Sequence, residues 1–280
     1  MIMKLSIAIV NQNRCSLLKQ AINALIDACK NIDYELIIVD NASTDGSKEM
    51  LENEFPSVQL SKNTENRGIA KANNQALKMC RGEYVLLVTP DTKCGGDSLE
   101  KMIAFMDEHK TAGGLSVRMI SPQGHFIPES IHGLNPGWAA FFKLIGFAKH
   151  LAKTRLYDKT RKDWVEEFQI TEIDIINGAC MFLRRSALAD VGLFDERFAQ
   201  CGYDVDLSYR LRLAGYKNFY FPKTYFFKYE DQQANNFSWN RVRYFNGTML
   251  IFALKYLLRL PEIKVQGMPQ LYPASYDIKG

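Results

Sequence analysis

The sequence predicts an α/β fold: a mostly parallel sheet flanked by helices, with helical additions at the C-terminal end. Three observations predict it. Apolar runs of strand length at 5–10, 34–39 and 84–88 alternate with segments of helical period at 16–32, 48–55, 69–80 and 98–109. The apolar runs stop at polar residues, Asn11, Asp40 and the corner Thr89-Pro90-Asp91. Strands that alternate with helices imply parallel pairing with both sheet faces covered. In such sheets ligands bind beyond the carboxyl ends of the strands, so Asn11, Asp40 and Asp91 are expected on one rim.

Leu5-Ser6-Ile7-Ala8-Ile9-Val10 reads as the first strand and is too short for the apolar core of a signal peptide. Leu17, Leu18, Ala21, Ile22, Leu25 and Ile26 then fall at helical spacing. A second strand at 34–39 ends at Asp40. The segment Asn41-Ala42-Ser43-Thr44-Asp45-Gly46-Ser47 combines turn and cap residues ahead of a short helix. A brief strand at 58–60, a helix at 69–80 rich in small residues, the strand at 84–88 and a helix at 98–109 complete the regular part. Beyond it, 173–183 has strand character around Asn177-Gly178-Ala179-Cys180, 186–191 and 204–214 look helical, 218–221 is a short strand, and 240–260 is an amphipathic helix. No linker divides the chain, so one domain over 1–280 is expected.

Composition limits the function. The chain has 280 residues, 47% hydrophobic and 24% charged, enough for one large core. A net charge of +4 gives no case for nucleic acid as the main partner. The six cysteines show no CxxC pair or metal spacing, as in a reducing compartment. No run approaches the roughly 18 apolar residues that span a bilayer, and a cytoplasmic location is expected.

The most informative stretch begins Phe194-Asp195-Glu196-Arg197-Phe198 and continues Cys201-Gly202-Tyr203-Asp204-Val205-Asp206, with Arg210, Arg212 and Gly215 further along. A glycine turn followed by Asp204 and Asp206 puts two acids where a helix opens. There, free backbone N–H groups and the dipole favour a carboxylate in its ionised form. Such a carboxylate at a cleft suits a general base, and it equally suits an N-cap with ion pairs along the helix. Asp40 can accept hydrogen bonds from a ribose or a base imide, or simply shape a turn. Asn66-Arg67-Gly68-Ile69-Ala70-Lys71-Ala72-Asn73-Asn74 opens a helix with small residues, amides and two cations, an anion site suited to a diphosphate. Asp91 can hold a divalent ion against phosphate oxygens, or serve the turn. No GxGxxG or Walker motif is present.

Taken together, four segments in order resemble the family 2 glycosyltransferases of GT-A, Rossmann-like fold, especially the bacterial rhamnosyltransferase-like branch. They are Ile38-Val39-Asp40-Asn41-Ala42-Ser43-Thr44-Asp45-Gly46-Ser47, then 66–74, 86–92 and 192–222. The resemblance covers about residues 4–229. It implies sugar transfer with inversion from a nucleotide-sugar donor, first dTDP-rhamnose and then UDP-sugars, to a surface-glycan or lipid-linked saccharide acceptor. It implies a nucleotide-binding half at 1–110, an acceptor and catalytic half at 111–230, and a helical extension at 231–280. Asp204 would be the general base. Asn11, Asp40, Asn66, Gly68, Asn73, Asp91 and Lys228 would contact the nucleotide-sugar. Asn177, Gly178 and Tyr203 would border sugar and acceptor. Asp91 would hold Mg²⁺ or Mn²⁺.

The sequence departs from the family pattern at three places. Thr89 stands where an Asn or Asp is usual, Tyr203 where a Glu precedes the base, and Lys228 where many relatives carry a metal-binding His; no His follows His150. A protonated Lys cannot ligate a metal but can neutralise a diphosphate. Weakened or absent metal dependence is therefore one expectation, and an incidental, solvated Lys228 the other. The same departures keep open a degenerate relative that binds a nucleotide-sugar or glycan without turnover. The segment 139–162 carries seven Lys or Arg among aromatics. It and the helix at 240–260 either rest on an anionic membrane surface or pack on the sheet with solvated basic faces. No processive Gln-x-x-Arg-Trp motif occurs, which favours single additions.

Overall fold

The first strand is buried on both faces, and its alternation sorts the core into two layers. Leu5, Ile7 and Ile9 join one hydrophobic cluster, whereas Ala8 and Val10 join another. Side chains two apart share a face of a strand, so a continuous apolar run feeds both sides of the sheet. The computed structural model describes residues 3–132, 167–229 and 239–257. Its strands are β1 (Leu5–Asn11), β2 (Tyr34–Asn41), β3 (Gln59–Asn63), β4 (Tyr84–Val88), β5 (Thr92–Cys94), β6 (Ala112–Ile120), β7 (Thr171–Ile173), β8 (Cys180–Arg184) and β9 (Lys217–Lys228). The helices are α1 (Cys15–Ala28), α2 (Ser47–Glu54), α3 (Ile69–Met79), α4 (Ser98–Glu108), α5 (Glu129–His132), α6 (Arg185–Val191), α7 (Tyr203–Leu213) and α8 (Trp239–Leu257).

One sheet runs in the order β3-β2-β1-β4-β8-β6-β9-β5, with β7 paired to β9. Helices α1, α2 and α4 cover one face through Leu18, Ile22, Met50, Leu51, Met102 and Met106. Helices α3, α6 and α7 cover the other through Ala70, Ala72, Ala76, Leu188, Leu207 and Leu211. Three alanines at the contact let α3 approach the sheet closely. The helix α8 packs its Phe252 and Tyr256 against Val205 and Tyr209 of α7.

The expected parallel arrangement holds for β3-β2-β1-β4 and stops there. β8 inserts antiparallel to both β4 and β6, β9 is parallel to β6, and β5 and β7 are antiparallel to β9, so the sheet is mixed. Two strands depart most from the sequence expectation. β6 was hidden by Gly113-Gly114, which has little strand propensity. Both glycines are demanded by packing: a Cβ on Gly114 would lie 2.6 Å from Ile176 Cδ1, and one on Gly113 2.8 Å from Tyr216 Cβ. β9 continues past Phe221 because the register shifts between Val117 and Arg118, and Pro222 falls in the resulting bulge where no ladder N–H is needed. The strand-like stretch at 173–183 is split into β7 and β8, and Asn177-Gly178 lies in the irregular crossing between them. The basic segment at 139–162 lies outside the described residues. No described helix is long and apolar enough to cross a membrane.

Candidate active site

Strand direction gathers the candidate residues. β1, β2 and β4 are parallel, so Asn11, Asp40 and the corner before Asp91 end on one rim. Val88 lies opposite Cys180, which brings the segment leading into β8 to the same rim. β6 runs antiparallel to β8 and β9 parallel to β6, so Lys228 at the end of β9 arrives there too.

The left side of the rim is a chain of amides and carboxylates. Asn11 pairs in register with Asp40 and donates to its Oδ1 at 3.2 Å and to Ser43 Oγ at 3.1 Å. Asp40 is fully buried; its Oδ2 accepts the Ser43 N–H at 3.0 Å and faces the Lys48 ammonium at 3.7 Å. These bonds hold Ala42 at a φ of 65°, a left-handed conformation that a non-glycine residue adopts only when its surroundings impose it. Next in line, Asn41 donates to Asn66 Oδ1 at 2.8 Å, and its own Oδ1 accepts from Asn63 at 3.1 Å and from the Arg67 N–H at 3.0 Å. Asn66 turns back to accept the Gly68 N–H at 2.9 Å, which shapes the entry to α3. Gly68 has φ 78°, and a Cβ there would sit 3.0 Å from the Ala199 carbonyl oxygen. Asn73 is buried on α3, and its neighbour Asn74 exchanges hydrogen bonds with the Phe194 backbone at 2.8 and 2.9 Å. The loop before α7 is thereby stitched to the helix after Gly68.

On the right side stands Asp204 in the first turn of α7, entered through Gly202 at φ 82°. Its carboxylate accepts the Val205 N–H at 3.0 Å and lies against Gly178. Burial pushes its pKa up to about 6, against the hydrogen bonds from the Val205 and Gly178 backbones, which favour the charged form. The helix start and these backbone bonds favour the ionised form, while burial works against them and sets the net direction of the shift. A Cβ on Gly178 would lie 2.9 Å from both Asp204 Oδ2 and Tyr203 Oη, so only hydrogen fits. Gly178→Ala is expected to displace Asp204 and to cost about 1–3 kcal/mol of overpacking, read as a lower denaturation midpoint. Asn177 fixes this turn by accepting the Ala179 N–H at 2.8 Å. The Tyr203 ring meets Phe194 edge-on, with centroids 5.2 Å apart, and burial raises its hydroxyl pKa.

The two sides meet at the corner before Asp91. Thr89 N–H donates to the Ala179 carbonyl at 3.1 Å, next to Gly178. Asp91 accepts from Thr89 Oγ1 at 2.6 Å and from Lys228 Nζ at 2.5 Å, and Lys228 also reaches Thr89 Oγ1 at 2.8 Å. Among the described residues no group of three or more His, Cys, Asp or Glu gathers where it could hold a metal ion. The donor set at Asp91 is one carboxylate whose Oδ1 already meets an ammonium, so a divalent cation there would depend on phosphate oxygens for its remaining ligands and would sit beside a fixed positive charge.

The acid pair seen in the sequence is split by the helix. Residues two apart on an α-helix lie about 200° round the axis from each other. Asp204 thus faces Gly178, whereas Asp206 is fully buried on the other side. There it accepts from Arg210 Nε at 2.9 Å, Lys255 Nζ at 2.6 Å and Tyr256 Oη at 2.6 Å. Lys255 also donates to Asp195 Oδ2 at 2.9 Å, and Arg210 caps the Gly192 and Leu193 carbonyls at 2.9 and 2.8 Å. This network anchors both the loop before Asp204 and the helix that carries it. Sequence reading missed Lys255 and Tyr256, which nothing short of the tertiary contact identifies.

Residues 6–192 match the family model described as glycosyl transferase family 2, and the chain belongs to that family. An N-acetylglucosaminyl-diphospho-decaprenol L-rhamnosyltransferase of Mycobacterium tuberculosis is 27% identical over 199 residues, 67% of this chain and 64% of that protein. The chain thus spans just under two thirds of that relative's length. Staphylococcus aureus TarS 1–349 in complex with UDP-GlcNAc has a similar fold at TM-score 0.61 and 19% identity, covering 90% of this chain and 66% of that one. So does the mannosyltransferase PcManGT of Pyrobaculum calidifontis in complex with GDP-Man and Mn²⁺, at TM-score 0.61 and 17% identity, with 93% and 66% covered.

Proposed function

We propose that the chain transfers one sugar, with inversion, from a nucleotide-diphosphate sugar to an acceptor hydroxyl, with Asp204 as general base. The observation that carries this reading is the placement of the Asp204 carboxylate at the sheet rim, in the first turn of α7 and against Gly178, where burial also pushes its pKa up to about 6. In the reaction the acceptor oxygen forms its bond to the anomeric carbon while its proton passes to Asp204. The bond from that carbon to the diphosphate breaks, and the nucleoside diphosphate leaves with the electron pair.

Asp40, buried and held by Asn11 and Ser43, sets the turn at the end of β2 against which the base or ribose would lie, and meeting the base itself would require it to exchange one of these bonds. Asn66, Gly68 and Asn73 surround nucleotide and sugar at the start of α3, and Asp91 with Lys228 meets the diphosphate. Asn177, Gly178 and Tyr203 border the acceptor side. The donor we favour is dTDP-rhamnose, ahead of a UDP-sugar, and the acceptor a lipid-linked saccharide, because the mycobacterial relative is named for rhamnosyl transfer to a diphospho-decaprenol-linked sugar. Peripheral contact with the inner membrane face would bring the chain to such an acceptor.

The test is the thermal midpoint against UDP, dTDP and GDP and their sugars, followed by donor turnover. A ligand that binds only the folded state adds about 2.7 kcal/mol at a hundred times its Kd. A clear rise with UDP or dTDP is expected, together with transfer or slow donor hydrolysis. Binding with no turnover would favour the non-catalytic relative, and no rise with any nucleotide would sink the donor assignment.

A further inference from the structure

Two of the positions that depart from the family pattern, Thr89 and Lys228, are 139 residues apart in sequence and touch in space. Pairing of β5 with β9 sets Thr92 opposite Lys228, and the Tyr229 N–H donates to the Asp91 carbonyl at 2.9 Å, so the end of β9 is fastened beside the Asp91 turn. Lys228 Nζ then reaches Asp91 Oδ1 and Thr89 Oγ1 together, while Thr89 Oγ1 donates to the same Asp91 oxygen. The three side chains form a closed triangle.

We infer that Lys228 is the cation that meets the donor's diphosphate in this chain, in place of a divalent ion, and that Thr89 and Asp91 aim it. The inference rests on the nucleotide-sugar reading above. An ammonium carries three N–H donors. Among the described residues two are committed, to Asp91 and Thr89, which leaves one for a phosphate oxygen. The Lys228 side chain retains 22% exposure and Asp91 16%, so the pair opens to the rim and is not sealed beneath it. A divalent ion on Asp91 would take the other carboxylate oxygen and lie one carboxylate away from the ammonium held on Oδ1, two cations side by side. The neutral Thr89 supplies an acceptor for the ammonium without adding a second carboxylate. When the bond to the diphosphate breaks, the electron pair passes to a diphosphate oxygen, and the fixed ammonium stabilises that charge without proton transfer.

Calorimetric titration of the full chain with UDP, dTDP and the matching nucleosides, in EDTA and in Mn²⁺, tests this. Expected are diphosphate affinities that agree within about threefold between EDTA and Mn²⁺. Lys228→Met should lose at least about tenfold in diphosphate affinity, one charged contact's worth, and keep nucleoside affinity. Lys228→Arg, which preserves charge, should keep metal-free binding and shows whether loss in the Met variant reflects charge or misfolding. Diphosphate binding that appears only with Mn²⁺, or a Lys228→Met chain that binds UDP or dTDP as well as the parent, overturns the inference and leaves the glycosyltransferase reading standing. Absence of nucleotide binding under every condition removes both.

Discussion

Asp204→Asn is expected to lower turnover about 10²–10⁴-fold, the range that a positioned base contributes, with little change in donor affinity. The amide keeps an oxygen for the Val205 N–H, which lies 3.0 Å from the carboxylate, and gives up the acceptor that faces the Gly178 backbone. What it loses is the ability to take a proton. The parent's kcat/KM should fall as pH drops through about 6, where burial places this acid, and the variant's residual activity should lack that limb. A folding signature of opposite sign accompanies the loss. The folded pKa lies above the ordinary aspartate value of about 3.9, so folding takes up a proton and stability declines as pH rises from about 4 to about 6. Above that window the ionised form carries its full desolvation cost, which the amide avoids. Asp204→Asn should therefore melt higher than the parent at pH 8 and show no such advantage at pH 4. A variant that turns over at the parental rate would remove Asp204 from the proton transfer. One with parental melting at pH 8 would show that burial does not burden this carboxylate.

Much of this site is legible in the sequence because it depends on local pattern. β1, β2 and β4 are unbroken apolar runs, and Asn11, Asp40 and Asp91 follow from where those runs stop. Asp204 follows from a glycine turn ahead of a helical period. What stays hidden depends on contacts between distant segments. Gly113-Gly114 carries no strand signal of its own, yet it is the part of β6 into which Ile176 and Tyr216 pack. Pro222 reads as a strand end, yet a bulge carries β9 onward to Lys228. Without that extension Lys228 has no reason to meet Thr89, and the two departures look like independent losses instead of one contact. Likewise the i, i+2 spacing of Asp204 and Asp206 suggests an acid pair until helical geometry turns them apart.

That separation carries the largest expected effect on stability. Asp206 is buried, and the partners it neutralises are themselves nearly buried, with Arg210 at 5% and Lys255 at 14% exposure. Removing one member of such a group leaves uncompensated charge in a poorly hydrated site, which costs about 3–5 kcal/mol. Asp206→Ala should accordingly lower the thermal midpoint on the order of 10 °C, at about 2–4 °C per kcal/mol for a chain approaching this size. Tyr256→Phe removes only one hydrogen bond to Asp206 and should cost about 0.5–3 kcal/mol, as its charged acceptor keeps its other donors. Lys255→Met breaks two links at once, to Asp206 and to Asp195, whose carboxyl is held well below the usual range by Arg197 and Lys255 despite its burial. The loop ahead of Asp204 should then loosen before the domain does. In Lys255→Met, proteolysis near residues 195–201 should quicken, and kcat should fall further than KM rises, because the base is less firmly placed while the turns after β1 and β2 that hold Asn11 and Asp40 keep their own bonds. Equal loss in both constants would mean that α8 supports the fold as a whole. A selective loss in kcat would tie the C-terminal helix to the placement of Asp204.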